Sequence, residues 1–328
     1  MIKQLIAAGI FAGGLGLGLS AQADPLNLNL CGGSPNGLWQ LLGVGMDGVL
    51  KADDPGSSVT YQTSSGGFAN ILQMQGDTCD LAIAHAGEAM KALSGEAPFP
   101  QKVDNFRAIS VLYNWAPMQW VMTKDFADEY GIHSLQDIAD KKPPLHLVLN
   151  RKGILTSMVG ESSLATLGVT PEDIESWGGS VVHQGSAVAT ELVQNRRADM
   201  WANETFVGSS AISSMAENRP MTLLEVPDNV IKAMEKEYGD SSYTVPADAY
   251  TWLDQPIHTH TAAALLVVPA SMPDDEAYRI TKDLIDHLDV MQGVHPAMKQ
   301  LTPQTLLAQS VVELHPGAKR AYEEAGLL

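Results

Sequence analysis

Cysteine is scarce, with 2 in 328 residues. That excludes a disulfide-framed miniprotein and any zinc or iron–sulfur module held by several thiolates. Basic residues are also few, 20 Lys and Arg against 38 Asp and Glu, for a formal net charge of −18. An acidic balance argues against nucleic acid as a partner, because its binding needs a basic face to displace counterions from the phosphate backbone. Past the N-terminus no apolar run reaches the roughly 20 residues that a membrane-spanning helix needs. What is present is an ordinary folded composition, 45% hydrophobic and 18% charged. At roughly 100–200 residues per domain, the length predicts two domains, each with its own core.

The first residues, Met1-Ile2-Lys3-Gln4, carry one positive charge. An apolar stretch from Leu5 to Leu19 with five glycines follows, and then Ser20-Ala21-Gln22-Ala23. A short apolar core before an Ala-x-Ala site has the form of a secretory signal peptide cleaved after Ala23. Cys31 follows Leu30 and lies well past that core, so a lipid anchor is not expected. The expected product is exported to the periplasm without inserting in the membrane.

From Asp24 onward, short apolar runs alternate with helical patterns, as in βαβ units. Leu26–Leu30 runs into Cys31-Gly32-Gly33-Ser34-Pro35-Asn36-Gly37 and a helix with Leu38, Leu41, Leu42, Val49 and Leu50 on one stripe. Val59–Thr63 ends in Ser64-Ser65-Gly66-Gly67 before a helix at 68–75, and Leu81–His85 leads into a helix at 86–93. A second series follows Trp120–Thr123: Leu145–Leu149 ends in Asn150-Arg151-Lys152-Gly153, Val181–His183 in Gly185-Ser186, and Ala198–Ala202 in Asn203-Glu204-Thr205. Ala262–Val268 reads as a central apolar strand before C-terminal helices.

In a parallel sheet the strand C-termini share one edge, where helix N-termini offer unpaired N–H groups to an anion. The pattern therefore predicts an α/β protein of two lobes with a ligand cleft between them. Residues 24–122 begin lobe 1, 123–257 form lobe 2, and 258–328 return to pack mainly on lobe 1.

Several motifs carry weaker signals. Gly43-Val44-Gly45-Met46-Asp47-Gly48 spells G-x-G-x-x-G, but it falls inside a helical stretch and reads as close helix packing rather than a dinucleotide site. No cofactor is expected. His258 and His260 share a strand face, as two metal ligands could, yet no third ligand is near in sequence and a solvated or hinge face is the simpler reading. Cys31 and Cys79 suit a disulfide in an oxidising compartment. In-line parallel strands, however, would hold them more than about 7 Å apart, too far to bridge. The two arguments conflict and leave the bond open.

Four segments in order resemble TAXI-type solute-binding proteins of TRAP transporters. Cys31-Gly32-Gly33-Ser34-Pro35-Asn36-Gly37-Leu38-Trp39 is similar to their Gly-Ser-x-x-Gly-x-aromatic opening. Thr63-Ser64-Ser65-Gly66-Gly67-Phe68-Ala69-Asn70 resembles their Thr-x-Gly-Ser/Gly-x-x-Asn loop. Gly76-Asp77-Thr78-Cys79-Asp80-Leu81-Ala82-Ile83 is similar to their Gly-Glu-x-Asp-Leu-Ala segment. Leu314-His315-Pro316-Gly317-Ala318, running on to Tyr322-Glu323-Glu324-Ala325-Gly326, resembles their C-terminal signature. The sequence departs at Gly153-Ile154-Leu155-Thr156, where Gly-Ser-Gly-Thr is frequent. It departs again at Tyr113-Asn114-Trp115-Ala116-Pro117, where a Tyr-Pro-Glu-Pro turn would bring a carboxylate.

The resemblance implies the two-lobed type II architecture of periplasmic binding proteins, with hinge crossovers. It also implies capture of a small organic anion, a dicarboxylate or a glutamate-like amino acid, for delivery to TRAP membrane subunits. The alternatives are a periplasmic sensor feeding a membrane signalling protein and, on the same fold, an enzyme. No catalytic constellation stands out, with only scattered candidates such as His85 and Glu88, so a non-enzymatic receptor is expected.

The expected lobe 1 contacts are Gly33, Ser34, Asn36, Trp39, Ser64, Ser65, Gly66, Gly67, His85 and Trp115. Those of lobe 2 are Asn150, Arg151, Lys152, Thr156, Asn203, Glu204 and Thr205. Arg151 and Lys152 are expected to supply the positive charge. Glu204 would repel an anion unless it turns outward, pairs with those cations or meets an amino group on the ligand.

Overall fold

The computed structural model describes residues 24–33, 38–308 and 311–328. The expected signal peptide, Ser34 and Asn36 lie outside the described residues. Ten strands are described: β1 (Asn27–Cys31), β2 (Ser58–Gln62), β3 (Leu81–His85), β4 (Phe106–Thr123), β5 (His146–Leu149), β6 (Ser180–His183), β7 (Met200–Glu204), β8 (Met221–Leu223), β9 (Ser241–Val245) and β10 (Ile257–Pro269).

Helices are interleaved with the strands. They are α1 (Leu38–Asp53), α2 (Gly67–Gln75), α3 (Ala86–Ser94), α4 (Lys124–Tyr130), α5 (Leu135–Lys141), α6 (Leu155–Thr166), α7 (Pro171–Ser176), α8 (Ser186–Gln194), α9 (Ser210–Asn218), α10 (Asp228–Tyr238) and α11 (Asp274–Asp286). Shorter helical turns and a last helix, Pro316–Glu324, complete the C-terminal region.

The strands run in the order β2-β1-β3-β10-β4-β7-β5-β6, with β8 beside β4 and β9 beside β10. β1 is parallel to β2 and to β3, and β5 is parallel to β6 and to β7, as the strand–loop–helix repetition predicts. β10 and β4 are antiparallel to their neighbours and join the two groups. Trp120–Thr123 comes just before the second series, as expected. It ends an 18-residue strand that pairs with β10 up to Pro117 and with β7 from Met118. A strand buried almost throughout shows no period-2 alternation, and so its true length is hidden in the sequence.

Central strands are apolar on both faces. In β3, Ala82 and Ala84 join one core while Leu81 and Ile83 join the other, and all four are fully buried. The period of two sends alternate residues to opposite layers of helices. Each large aliphatic side chain buried this way contributes roughly 1.5–3 kcal/mol. The glycines of the G-x-G-x-x-G run lie in α1, where a Cβ on Gly45 would press on Met291 and one on Gly48 on Val290. Close packing is their role, as the helical context suggests.

Cys31 and Cys79 are joined in a disulfide, with Cα atoms 5.8 Å apart. The in-line separation expected from the strands is therefore wrong. Cys31 does pair with Ala82 across the β1–β3 ladder, but Cys79 is not in line with β3. The chain leaves α2 through a tight turn, with Thr78 N donating to Gln73 O and Asp77 at φ 54°, which carries Cys79 back over β1.

Candidate functional site

The strand C-terminal edges meet where β4 leaves β10 for β7. From the first group come the loop 63–66, Trp39 and His85. From the second come the loop after β5, the start of α6 and the end of β7. The two sides touch: a Cβ on Gly66 would lie 3.8 Å from Ile154 Cγ2. Gly66 precedes α2 and Ile154 precedes α6, and neither helix has a side-chain cap at its N-terminus. Two helix starts without a side-chain cap thus adjoin one another, and a helix N-terminus offers backbone donors and the positive end of a helix dipole.

The loop 63–66 is held from beneath. Ser64 Oγ donates to Gly32 O at 2.6 Å and accepts from Gly66 N at 3.0 Å. Asn70 Nδ2 donates to both Gly32 O and Ile83 O at 2.7 Å, so the last residue of the quoted loop motif ties two strand ends together. Gly66 adopts φ 114°, a conformation only glycine takes without strain. Gly67 lies against Glu88, so that any Cβ there would collide with the carboxylate. Gly33 N donates to Tyr61 Oη at 2.6 Å, and Ser65 is exposed at the loop's tip.

Trp39 and His85 form one wall. Their ring centroids are 4.9 Å apart, and Trp39 Nε1 donates to the hydroxyl of buried Tyr113 at 3.0 Å. His85 Nδ1 is 3.5 Å from Glu88 Oε2. Burial disfavours the charged imidazole, but the hydrogen bond and charge of Glu88, with Glu204 and Asp240 beyond, leave His85 protonating above its usual range. Trp115 is buried and stacks on Phe206 with an interplanar angle of 15°, so it packs the core behind the wall.

On the other side, Asn150 Nδ2 donates to Asn203 Oδ1 at 2.7 Å, linking the ends of β5 and β7. Thr205 contributes through its backbone, whose carbonyl accepts from Gln119 Nε2 at 2.8 Å. Arg151 and Lys152 are both exposed on the loop after β5. Glu204 turns inward rather than outward. Its Oε2 accepts from Thr156 Oγ1 at 3.1 Å, while its Oε1 is buried without a partner. Burial and the nearby Asp240 carboxylate raise its pKa to about 7, against the pull of His85, His260 and the Thr156 hydroxyl.

Sequence spacing does not reveal Asp240 and His260 as a pair. Asp240 follows α10 and His260 stands in β10, and both side chains are fully buried with His260 Nδ1 2.6 Å from Asp240 Oδ2. The His258–His260 pair splits: exposed His258 bonds Thr244 Oγ1, while His260 gains the acidic neighbours that sequence distance concealed. His260, leading into the apolar run that starts at Ala262, is the available signal.

No helix among the described residues is long and apolar enough to cross a membrane. The chain resembles MatC (Rpa3494) from Rhodopseudomonas palustris, solved with bound malate, at 14% identity and TM-score 0.55, covering 92% of this chain and 96% of that one. It resembles PhnD1 from Prochlorococcus marinus (MIT 9301), solved with methylphosphonate, at 13% identity and TM-score 0.53, covering 93% and 100%. These likenesses establish the fold, a mixed α/β architecture of the type II periplasmic binding protein kind. The sequence matches the NMT1-like family over residues 30–326, almost the whole chain, and so it belongs to that family.

Proposed function

We propose that this protein is a periplasmic solute-binding receptor that captures a small organic anion, a dicarboxylate or a glutamate-like amino acid. It hands that ligand to the membrane subunits of an ion-gradient-driven TRAP transporter. The observation that carries the reading is the meeting of the two uncapped starts of α2 and α6 across the cleft, at Gly66 and Ile154. Backbone donors from both sides then hold one carboxylate group, so the ligand favours the closed arrangement by touching both. The malate and methylphosphonate seen in two proteins of this fold are anions of the same size class. The TRAP assignment rests on the four sequence segments that resemble TAXI-type proteins.

The test is a thermal-shift panel of malate, glutamate, 2-oxoglutarate, methylphosphonate, glucose and spermidine. A ligand at a hundredfold excess over its Kd stabilises by about 2.7 kcal/mol, well within detection. Small carboxylates are expected to raise the melting temperature, and a response only to glucose or spermidine would overturn the anion reading. Uptake by reconstituted membrane subunits then separates transport classes, because a requirement for ATP in place of an ion gradient would overturn the TRAP assignment.

A further inference from the structure

Glu204, Asp240 and His260 arrive from three separate elements, the end of β7, the turn after α10 and the first part of β10. One ligand atom from each lies within 4.8 Å of the others. All three also hold a buried atom with no hydrogen-bond partner: Glu204 Oε1, Asp240 Oδ1 and His260 Nε2. Two carboxylates and an imidazole confined together, with polar atoms unsatisfied, make a costly arrangement unless a cation completes it.

We propose that these three residues form a binding site for a divalent transition-metal ion such as Zn²⁺. Zinc is held tetrahedrally at about 2.0–2.2 Å from imidazole nitrogen and carboxylate oxygen, so its ligand atoms stand roughly 3.3–3.6 Å apart. An ion would take the place of the 2.6 Å contact between His260 Nδ1 and Asp240 Oδ2, which opens by about an ångström to admit it, while Glu204 closes in by a similar amount. An imidazole in the set favours zinc and its neighbours over calcium and magnesium, which prefer all-oxygen shells. Three protein ligands leave at least one coordination position for water or a ligand group. The bound ion would also give the organic anion proposed above a positive partner inside an acidic cleft, and that consequence alone rests on the proposed ligand.

The site is tested with no organic ligand present. Protein stripped by dialysis against EDTA is titrated calorimetrically with Zn²⁺, Mn²⁺, Ca²⁺ and Mg²⁺. One equivalent of Zn²⁺ is expected to bind with a micromolar or tighter Kd, with Ca²⁺ and Mg²⁺ at least tenfold weaker. Glu204→Gln and His260→Gln are each expected to weaken Zn²⁺ at least tenfold, while His258→Gln, on the exposed face of the same strand, leaves it unchanged. If His260→Gln does not fold, Glu204→Gln carries the test, with circular dichroism confirming its structure. Absence of a stoichiometric Zn²⁺ site, or Zn²⁺ affinity unmoved in folded Glu204→Gln, overturns the proposal.

Discussion

Thr156, in the first turn of α6, donates its hydroxyl to Glu204 Oε2 at 3.1 Å, joining the start of α6 to the end of β7. Both residues are drawn into the interior, so each satisfies a group that water cannot reach. Thr156→Val keeps the shape and removes the donor, leaving that oxygen bare. Stranding a buried acceptor costs about 1–3 kcal/mol. A drop of a few degrees in melting temperature is expected, and an unchanged melting curve would show that Glu204 finds another partner.

The loop before α2 makes a second prediction. Gly66 at φ 114° has open space beside it except for Ile154, so Gly66→Ala strains the backbone without a severe clash. Strain of this kind costs on the order of 1–3 kcal/mol. Gly67→Ala instead drives a methyl into Glu88, whose Oε2 accepts from His85 N at 2.8 Å. Gly66→Ala is expected to fold and bind the cleft ligand less tightly, whereas Gly67→Ala loses stability more than it loses affinity. Paired calorimetry and melting curves check the order.

The disulfide gives a third. Its two cysteines are 48 residues apart in sequence. Opening a loop of that size restores unfolded-chain entropy worth about 4 kcal/mol in the chain-entropy account. The Cys31→Ala/Cys79→Ala double variant is expected to melt several degrees below the parent, and dithiothreitol should have the same effect on the parent and none on the variant.

Asp283, on the buried face of α11, makes the fourth. Burial first, and then the charge of Asp53, raise its pKa from the ordinary 3.8 to about 6. The folded state therefore holds a proton that the unfolded chain releases, so stability falls as pH rises through that window and levels off above it. Asp283→Asn removes a charge the fold disfavours. It is expected to add roughly 1–2 kcal/mol at pH 7.5, a part of the full two-unit shift after allowing for solvent access, and little at pH 4. Melting curves from pH 4 to 8 decide it, and a gain that persists at pH 4 would mean another cause.

The elements that the sequence makes plain are the short ones bounded by polar residues. The run Leu81–His85 and its helix are legible because a short apolar strand ends in a polar residue and then turns helical. β4 is not, because eighteen residues of nearly continuous burial look alike whichever partner they face. The site shows the same division. Loops with Ser, Gly and Asn at strand ends mark themselves, and Ser64, Gly66 and Asn70 fall together as the spacing suggests. Asp240 gave no sign, since its partnership with His260 depends on a turn after α10 that spacing cannot locate.

β3 and β4 are not neighbours: β10, from near the end of the chain, lies between them. As the polypeptide emerges from the ribosome, the first half of the molecule has no central strand on which to close. Its sheet stays open until some 260 residues exist, and the last ladder forms over very long sequence separations. Folds completed by such distant pairings assemble slowly. A nascent chain of this protein therefore remains loose through most of its synthesis and locks as a unit when the C-terminal segment arrives. Fragments that end before residue 257 would be left with unpaired edges on both sides of the missing strand, open to pairing with other chains.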